Sequence, residues 1–596
     1  MLQAQAYALL DILCHHGCTH FIICPGSRNA PLTLAIARHG VATATVVPDE
    51  RAAGYMALGM ALAKTAPIAI VTTSGTAALN LMPAVAEAYF QQVPLLIISA
   101  DRPPEWIDQQ DGQAVFQAGV FGRHVKASYQ TPLQMERADD ANSLYRMANE
   151  AAMLAKRFPL GPVHINMPFA EPFYPTDADT YLATATRKVE VHTDAVTIPK
   201  GQRVPLFEEW KAAEKKMLII GQMPYSDDFR NAIKALVQYE PNVVVVADAT
   251  ANLHGLGIGL EGHGLLDYYD LKRLPIPNLV LHMGGSMVGR KVKKWLRHAD
   301  GGKVWRLQPF QTPIYDVFQK VERVLVSEEA AFLDSLAQHS FFSESKDDEV
   351  AYALAWANEA KMAKERYAAA LVPYAGPVMQ AKDAKEEFCE AQAMAWLLPK
   401  VPSGTHLHIS NSMPIRWVGW QGLLSQAVRL LANRGTSGID GCTSTAVGNA
   451  LACNSLASNT LATDTPVMLI TGDTAFHYDR NGLWLSQGLP ANLKIVVLNN
   501  GGGAIFGLID GPAGLPELDK YFYNPNHLTA ERTASDFGMA YYQTSTMADL
   551  EGAWGAFMAD SGPALLEFHT SPSAAKAMLD RLKGNAEAEI LPAGDV

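Results

Sequence analysis

The feature of the sequence that most restricts its fold is an alternation of short apolar runs with longer alanine-rich stretches. Short β-branched runs separated by helical patterns predict parallel strands joined by helical crossovers. The alternation occurs in three successive segments of the 596-residue chain. We therefore predict the α/β class, with three doubly wound parallel-sheet domains at residues 1–185, 186–375 and 376–596. The predicted strands are residues 21–24, 68–72, 95–99 and 163–167, then 217–220, 243–247, 279–283 and 304–307, and finally 406–409, 467–471, 494–498 and 565–568.

The regions between the three segments differ from them in composition. Residues near 185–205 and 372–386 mix Pro, Lys, Asp and Thr, and we predict them as linkers. The net charge of −12 argues against a nucleic-acid-binding surface, although local arginine clusters can still bind anions. The six cysteines form no CxxC pair, which favours a reduced, cytoplasmic protein. No apolar stretch reaches the length of a membrane-spanning helix, so we expect no integral membrane segment.

Two polar pairs follow neighbouring predicted strands of the third domain. The segment LITGDTAFHYDRNGLWLSQGLPANLKIVVLNNGGGAIFG, residues 469–507, places Gly472 and Asp473 after one strand and Asn499 and Asn500 after the next. Helix-compatible residues around 483–489 predict a helical crossover, which would bring both pairs to one edge of the sheet. A carboxylate, an amide oxygen and a carbonyl of the glycine run suit a hard cation such as Mg²⁺, which also binds phosphate and water. The segment therefore predicts a site for a metal diphosphate.

This pattern resembles the cofactor motif of thiamine-diphosphate-dependent enzymes. The resemblance implies that Asp473, Asn500 and the backbone carbonyl of Gly502 hold Mg²⁺ or Mn²⁺. It also implies that Gly472 and Thr474 lie beside the diphosphate. Many members of the family have a third glycine where this chain has Thr474, whose hydroxyl could reach a phosphate oxygen.

A second segment resembles the half of the family's site that binds the aminopyrimidine ring. In VVPDERAAGYMALGMALAKTAPIAIVTTSGTAALN, residues 46–80, Glu50 opens a helix, where a carboxylate gains from the helix dipole. The resemblance implies that Glu50 shares a proton with the ring and is the catalytic residue, and that Ile439 is the aliphatic wedge that bends the cofactor. It further implies that the two halves of a site come from different subunits, so we expect a homodimer or homotetramer.

Five further motifs narrow the resemblance to one branch of the family. They are CPGSRNAPLTLAI (24–36), SADRPPE (99–105), DGQ (111–113), NSMPIR (411–416) and NRGTSGIDG (433–441). Together they resemble the branch that acts in menaquinone biosynthesis, which decarboxylates 2-oxoglutarate and adds the succinyl unit to isochorismate. Both substrates are dicarboxylates, and guanidinium groups bind carboxylates with paired hydrogen bonds. The motifs of this acidic protein contain four such groups, those of Arg28, Arg102, Arg416 and Arg434.

The resemblance also implies how these residues divide between the two substrates. Arg416 and Arg434, together with Ser412, are expected to hold the part derived from 2-oxoglutarate, and Ser412 also contacts the cofactor. The remaining residues, expected to receive isochorismate or to complete the substrate set, are Ser27, Arg28, Arg102, Gln113, Arg290 and Asn411.

Three other interpretations of the sequence remain open. The stretch LHMGGSMVGR, residues 281–290, follows a strand but lacks GxGxxG spacing, so a structural central domain is favoured over a nicotinamide or flavin site. Another thiamine-diphosphate-dependent decarboxylase or carboligase, such as acetohydroxyacid synthase, would keep Glu50, Asp473 and Asn500 but would not need four arginines. A non-catalytic binding or regulatory protein would be favoured only if the cofactor residues were missing.

Overall fold

The chain forms three parallel sheets that follow one another along the sequence. The computed structural model describes residues 4–174, 186–192, 195–259, 263–340, 347–372, 388–454, 465–508 and 512–588. Helices connect most of the consecutive strands and cover the sheets, as is usual for parallel pairing. This architecture confirms the predicted α/β class with three doubly wound sheets, while the exact domain boundaries stay a prediction.

The first sheet has the strand order β2-β1-β3-β4-β6-β5, with the strands numbered along the chain. The strands β3, β4 and β6 are buried along their whole length, which agrees with their uninterrupted apolar sequences. The strands are β1 (His20–Ile23), β2 (Thr43–Val46), β3 (Ile68–Thr72), β4 (Leu95–Asp101), β5 (Ser128–Gln130) and β6 (Val163–Pro168), and the helices are α1 (Ala4–His15), α2 (Ala30–Arg38), α3 (Glu50–Lys64), α4 (Thr76–Asn80), α5 (Met82–Gln91) and α6 (Ala138–Lys156).

The second sheet belongs to the central segment and has five strands. These are β7 (Lys216–Ile220), β8 (Val244–Ala247), β9 (Leu279–Met283), β10 (Lys303–Gln308) and β11 (Val321–Val326), in the order β11-β10-β9-β7-β8. The helices of this segment are α7 (Lys200–Ala212), α8 (Asp227–Tyr239), α9 (Lys291–His298), α10 (Glu329–Ser340) and α11 (Asp347–Leu371).

The third sheet repeats the connectivity of the first. Its strands are β12 (His406–Ile409), β13 (Arg429–Leu431), β14 (Val467–Gly472), β15 (Leu493–Asn499), β16 (Ala540–Thr544) and β17 (Ala564–His569), in the order β13-β12-β14-β15-β17-β16. Its helices are α12 (Glu390–Leu397), α13 (Met413–Gln421), α14 (Cys442–Cys453), α15 (Asp473–Tyr478), α16 (Ile505–Leu508), α17 (Glu531–Asp536), α18 (Leu550–Ala559) and α19 (Pro572–Ala588). In both sheets the chain changes direction beside the first strand, which is where doubly wound folds bind ligands.

The helix predicted around residues 483–489 is absent, so that part of the prediction is wrong. The connection between β14 and β15 instead begins with α15, whose first residue is Asp473, and continues with a 3₁₀ helix at Arg480–Leu483. Gly488 adopts a left-handed φ of 78° and Pro490 follows it, and both features interrupt a helix.

The sheets pack against one another through shared clusters of buried side chains. One cluster of buried side chains joins the second and third sheets, and another joins the first and third. Of the predicted linkers, residues 373–386 lie outside the described residues, and α7 already begins at Lys200. Among the helices that the structure describes, none is both long enough and apolar enough to cross a membrane.

The closest helix contact between the first and third domains depends on two glycines. A Cβ atom at Gly59 of α3 would lie 1.9 Å from the carbonyl oxygen of Thr445 in α14. A Cβ atom at Gly448 of α14 would lie 2.0 Å from the carbonyl oxygen of Met56. Because both distances are far below van der Waals contact, only glycine permits the two helix backbones to approach this closely.

We expect Gly59→Ala to lower the thermal stability of the protein. The new methyl group cannot fit without separating α3 from α14, and overpacking of this kind costs about 1–3 kcal/mol. Calorimetric melting temperatures provide the measurement. Gly552→Ala is the matched control, because a Cβ atom at this exposed position of α18 would meet nothing within 4 Å, and alanine there should stabilise the helix by roughly 0.5–1 kcal/mol. Equal melting temperatures for both variants would contradict the proposed contact.

Candidate functional site

The predicted site residues of the third domain follow the carboxyl ends of four adjacent strands, β13, β12, β14 and β15. Since parallel strands end at the same edge of a sheet, residues distant in sequence meet there. Arg434 follows β13, Asn411, Ser412 and Arg416 follow β12, Gly472, Asp473 and Thr474 stand at the end of β14, and Asn500 and Gly502 follow β15.

The equivalent edge of the first sheet contains the other predicted residues. Here β2, β1, β3 and β4 are adjacent. Glu50 follows β2, Ser27 and Arg28 follow β1, and Arg102 and Gln113 follow β4. The shared connectivity of the two sheets therefore creates two comparable edges, each with its own set of candidate residues.

Asp473 and Asn500 are the centre of a polar loop cluster at β14 and β15. The Asp473 side chain is buried and accepts hydrogen bonds from the backbone N–H of Thr474 at 2.7 Å and from Asn526 Nδ2 at 3.3 Å. The N–H of Gly502 donates to Asn500 Oδ1 at 3.2 Å. Burial raises the pKa of Asp473, and hydrogen bonds from the backbone of Thr474 and Gly502 oppose that shift. The three predicted metal ligands therefore lie next to one another in space.

The chemistry of this loop cluster fits a hard divalent cation. The interactions that most offset the burial of Asp473 are hydrogen bonds rather than a cationic side chain, so a bound cation would stabilise the carboxylate. Asn500 and Gly502 supply an amide and a carbonyl oxygen, which Mg²⁺ and Mn²⁺ accept as ligands. A Cβ atom at Gly472 would meet nothing within 4 Å, so there is open space beside the loop. Within the described ranges, no group of three or more His, Cys, Asp or Glu residues could hold a metal ion elsewhere.

Glu390 is a buried neighbour of this cluster that sequence reasoning missed. It is the first residue of α12, and its two carboxylate oxygens accept hydrogen bonds from Asn500 Nδ2 and, at 2.8 Å, from Trp417 Nε1. Burial raises its pKa to about 7. An acidic residue in the first turn of a helix is common, so the sequence gives no signal that distinguishes Glu390 from a helix-capping residue.

Glu50 stands at the beginning of α3, as predicted. Asp49 caps this helix by accepting a hydrogen bond from the backbone N–H of Ala52 at 3.1 Å. Burial raises the pKa of Glu50, and the charge of Asp49 acts in the same direction. Cys24 lies near Glu50. Burial raises the pKa of the Cys24 thiol, and the negative charge of Glu50 raises it further. A carboxyl group with a raised pKa is suited to sharing a proton with a ligand.

Arg416 and Arg434 form a guanidinium cluster with Arg290 of the central domain. Burial lowers the pKa of both Arg416 and Arg434, and the positive charge of Arg290 lowers each of them further. Asp267 opposes the shift at Arg416, and Asp248 opposes it at Arg434. Adjacent, partly desolvated guanidinium groups repel one another, so a bound dicarboxylate would relieve the repulsion. Within one chain, Arg290 thus lies with the arginines that we assigned to 2-oxoglutarate.

Asn411 holds one of these arginines in position. Its Oδ1 accepts a hydrogen bond from Arg434 Nη1 at 2.7 Å, and its Nδ2 donates to the carbonyl oxygens of Asn433 at 2.7 Å and Gly438 at 2.6 Å. The guanidinium of Arg416 donates to the carbonyl oxygen of Ser412, which has a left-handed φ of 76°. A direct contact between Asn411 and substrate stays a prediction, because both ends of its amide already have protein partners.

The loop at residues 433–441, which contains Arg434 and Ile439, is attached to the first domain on both sides. The buried carboxylate of Glu87 in α5 accepts hydrogen bonds from the backbone N–H groups of Gly435 and Thr436, each at 2.7 Å. Tyr55 of α3 donates to Asp440 Oδ2 at 2.9 Å. Sequence reasoning missed both anchors, which fix the segment on either side of the predicted wedge.

Arg28 and Arg102 form the second arginine group, at the edge of the first sheet. Arg28 is buried and stacks over the ring of Phe173, with 4.3 Å between its Cζ atom and the ring centroid. Burial lowers the pKa of Arg28, and the charge of Arg102 lowers it further. Arg102 forms an ion pair of 2.8 Å with Asp111. The two predicted residues are therefore close together and surrounded by aromatic and acidic groups.

Gln113 and Ser27 are exposed at the same edge. Gln113 has a left-handed φ of 56° and lies against Gly75, where an added Cβ atom would be 3.2 Å from the Cα atom of Gln113. Gln117, which the prediction did not include, accepts a hydrogen bond from the N–H of Gly75 at 2.8 Å. Gly75, in the loop that follows β3, thus packs closely against the backbone of Gln113.

The start of α3, which contains Glu50, contacts the third domain of the same chain at residues other than the predicted metal ligands. None of the contacts among the described residues joins Glu50 to Asp473 or Asn500. The start of α3 instead contacts the segment after α15, where Asp49 Oδ2 accepts a hydrogen bond from Asn481 Nδ2 at 2.9 Å.

The sequence model of the family described as "Thiamine pyrophosphate enzyme, N-terminal TPP binding domain" matches residues 5–121. A solved structure of similar fold is the thiamine diphosphate-dependent 4-hydroxybenzoylformate decarboxylase of Rhodococcus jostii, with a TM-score of 0.67, 18% sequence identity and coverage of 95% of this chain and 99% of that one. At this identity the likeness establishes the fold alone, and it agrees with three doubly wound sheets.

Curated relatives match almost the whole chain. The 2-succinyl-5-enolpyruvyl-6-hydroxy-3-cyclohexene-1-carboxylate synthase of Cytophaga hutchinsonii is 35% identical, over 93% of this chain and 94% of the relative. The synthases of the same name from Flavobacterium johnsoniae and Desulfotalea psychrophila are 32% and 33% identical, over 95% and 94% of this chain and 96% of each relative. Because these relatives match nearly the full length of the chain and both sheet edges contain the predicted motifs, the chain belongs to the 2-succinyl-5-enolpyruvyl-6-hydroxy-3-cyclohexene-1-carboxylate synthase family of thiamine-diphosphate-dependent enzymes.

Proposed function

We propose that this chain decarboxylates 2-oxoglutarate and adds the succinyl unit to isochorismate, using thiamine diphosphate with Mg²⁺ or Mn²⁺. The product would be the compound in the relatives' name, 2-succinyl-5-enolpyruvyl-6-hydroxy-3-cyclohexene-1-carboxylate. The main support is the guanidinium cluster of Arg416, Arg434 and Arg290, since Arg416 and Arg434 follow strands that end at the same sheet edge as the proposed metal-binding loop. This position would let dicarboxylates bind next to the cofactor.

We assign the cofactor contacts to both sheet edges. Asp473, Asn500 and the carbonyl of Gly502 would hold the metal ion, with Gly472 and Thr474 beside the diphosphate. Ile439 would support the bent cofactor, and Ser412 would line the site. The bound cofactor supplies the electron sink for decarboxylation. Glu50 would exchange a proton with the aminopyrimidine ring, for which its half-buried carboxyl group is suited.

We assign the substrate contacts by charge. Arg416 and Arg434, with Ser412, would hold the carboxylate of the succinyl unit through charge-assisted hydrogen bonds. Asn411 would act by holding Arg434 at 2.7 Å. The residues proposed to receive isochorismate are Arg28, Arg102, Gln113 and Arg290, and Ser27 would complete the substrate-binding set.

The family resemblance supports an assembly of at least two copies, because it implies that the two halves of a site come from different subunits. Glu50 of one copy would face Asp473 and Asn500 of another, which gives a homodimer with two equivalent sites or a homotetramer built from such dimers. We also propose a cytoplasmic location, because all six cysteines are free thiols.

The reaction assay tests this function directly. Purified protein is incubated with isochorismate, 2-oxoglutarate, thiamine diphosphate and Mg²⁺, each component is omitted in turn, and the product is identified by mass. Consumption of isochorismate that needs every component, with a product containing the succinyl unit, is the expected result. Decarboxylation of other 2-oxo acids without this product would favour another carboligase, such as an acetohydroxyacid synthase. Absence of cofactor binding would favour a non-catalytic binding or regulatory protein.

Arg416→Ala should raise the KM for 2-oxoglutarate while leaving cofactor binding unchanged. Removing one partner of a buried charge pair costs about 2–5 kcal/mol of binding. Steady-state kinetics with varied 2-oxoglutarate provide the measurement. Arg416→Lys should be intermediate, because lysine keeps the charge but not the paired hydrogen bonds. Arg146→Ala, a change at an exposed ion pair of α6, is the control. An unchanged KM in Arg416→Ala would remove this residue from the substrate site.

A further inference from the structure

We propose that Glu390 is a positioning residue, which turns the carboxamide of Asn500 so that its oxygen faces the metal ion and ties this ligand to the helix that contains Arg416. The inference rests on the proposed metal-binding function of Asp473, Asn500 and Gly502. Neither the sequence motifs nor a direct contact between Glu390 and the metal ion would indicate this role.

The orientation of the Asn500 amide determines whether it can bind a metal. An asparagine side chain has one oxygen, which can be a ligand, and one NH₂ group, which cannot. In the structure the NH₂ group of Asn500 donates to Glu390 Oε1. On the other side, Asn500 Oδ1 accepts from the N–H of Gly502 at 3.2 Å. The acceptor on one side and the donor on the other select the same orientation of the amide, with Oδ1 facing Gly502, whose N–H also interacts with Asp473.

The second oxygen of Glu390 extends this connection toward the substrate arginines. Glu390 Oε2 accepts a hydrogen bond from Trp417 Nε1 at 2.8 Å. Trp417 is fully buried in α13, the helix that begins just after Ser412 and includes Arg416. One carboxylate therefore has two donors, one from a proposed metal ligand and one from the helix of a proposed substrate ligand.

A carboxylate can accept hydrogen bonds on both oxygens, whereas an amide side chain has only one oxygen that can accept. When Glu390 is ionised, both of its oxygens are acceptors, and both face N–H donors. In Glu390→Gln, one oxygen becomes an NH₂ group, so one of the two donors would face another donor. Asn500 can relieve that clash by rotating its amide through 180°, which would place its NH₂ group toward the metal. The change is nearly isosteric, so the fold itself has little reason to be disturbed.

Metal binding provides a readout that does not depend on turnover. Binding of Mn²⁺ in the presence of thiamine diphosphate is measured by the loss of the free-ion electron paramagnetic resonance signal. Substitution of residues that orient metal ligands typically costs about 10–100-fold in affinity, and we expect a loss of this size for Glu390→Gln. Trp417→Phe is the matched control, because it removes the other hydrogen bond of Glu390 and leaves the one to Asn500. We expect its Mn²⁺ affinity to stay within a few-fold of the unmodified protein.

A double-substitution cycle tests whether Glu390 acts through Asn500. Without the Asn500 amide there is nothing left to orient, so Glu390→Gln should cause no further loss of Mn²⁺ affinity when added to Asn500→Ala. Full affinity in Glu390→Gln, equal losses in Glu390→Gln and Trp417→Phe, or additive losses in the double variant would each overturn the inference. Failure of the unmodified protein to bind Mn²⁺ with thiamine diphosphate would instead overturn the proposed metal site on which the inference rests.

Discussion

Glu50→Gln should leave the protein folded and able to bind thiamine diphosphate and metal, but should reduce turnover by about 10²–10⁴-fold, the usual contribution of a positioned acid or base. Glutamine keeps the size and a hydrogen-bonding end, but it cannot exchange a proton with the aminopyrimidine ring. The structure adds that Glu50 is half-buried at the first turn of α3 and that burial raises the pKa of its carboxyl group.

A control variant separates the expected loss of turnover from the general effect of replacing a glutamate at the start of a helix. Glu531→Gln makes the same change at the exposed first residue of α17, and its turnover should match that of the unmodified protein. Isochorismate consumption measures turnover, and calorimetric titration measures cofactor binding. Turnover of Glu50→Gln within a few-fold of the unmodified protein would exclude Glu50 as the catalytic residue.

Asp473→Asn should abolish metal-dependent cofactor binding and with it all measurable activity. Asp473 is the only carboxylate among the three proposed metal ligands, so its replacement removes the full negative charge that attracts the cation. A ligand at one hundred times its Kd stabilises a folded protein by about 2.7 kcal/mol. Thermal melts should show this stabilisation for the unmodified protein with thiamine diphosphate and Mg²⁺, and none for Asp473→Asn.

The same substitution should have the opposite effect on the cofactor-free protein. Burial raises the pKa of Asp473, so near neutral pH the ionised carboxylate is less favourable in the folded chain than in the unfolded chain. Asparagine removes that penalty, and the cofactor-free variant should melt at the same temperature as the unmodified protein or higher. Below the ordinary pKa of an aspartate, where the carboxyl group is protonated in both states, the advantage should disappear. A lower melting temperature at neutral pH would show that the carboxylate serves folding rather than metal binding.

Mixing the Glu50→Gln and Asp473→Asn variants tests whether each site uses two copies of the chain. A dimer of one Glu50→Gln chain and one Asp473→Asn chain would contain one site with both defects and one site with neither. Activity that returns when the two variants are unfolded and refolded together is the expected result. If each site were built within a single chain, the mixture would be no more active than its Glu50→Gln component alone.

The sequence was sufficient to predict the central strands because their burial pattern is simple. Strands such as β3 and β14 are covered on both faces, and their sequences are continuous apolar runs. The five strands that the prediction omitted, β2, β5, β11, β13 and β16, are all at sheet edges. An edge strand has one neighbour and partial exposure, so polar residues interrupt its apolar pattern, as in SYQ at β5 and VERVLV at β11.

The positions of the candidate site residues were predictable for a related reason. Parallel strands end at a common edge, so residues that follow adjacent strands meet there whatever their separation in sequence. Contacts that depend on the packing of distant helices were not predictable. Glu390 and Asn500 are 110 residues apart, and Glu87 and Gly435 are 348 residues apart. No local pattern indicates such pairs, because each partner alone has the sequence of an ordinary helix or loop residue.

The attachment of the loop at residues 433–441 to the first domain has a consequence for how this chain could be divided. If the third domain were produced alone, the backbone N–H groups of Gly435 and Thr436 would lose the carboxylate of Glu87, and Asp440 would lose Tyr55. The loop would then be free to move, together with Arg434 and Ile439. The sheet proposed to bind the diphosphate is therefore not an autonomous module that could be transferred to another protein with its specificity intact, because its proposed substrate loop is held by side chains encoded more than three hundred residues earlier.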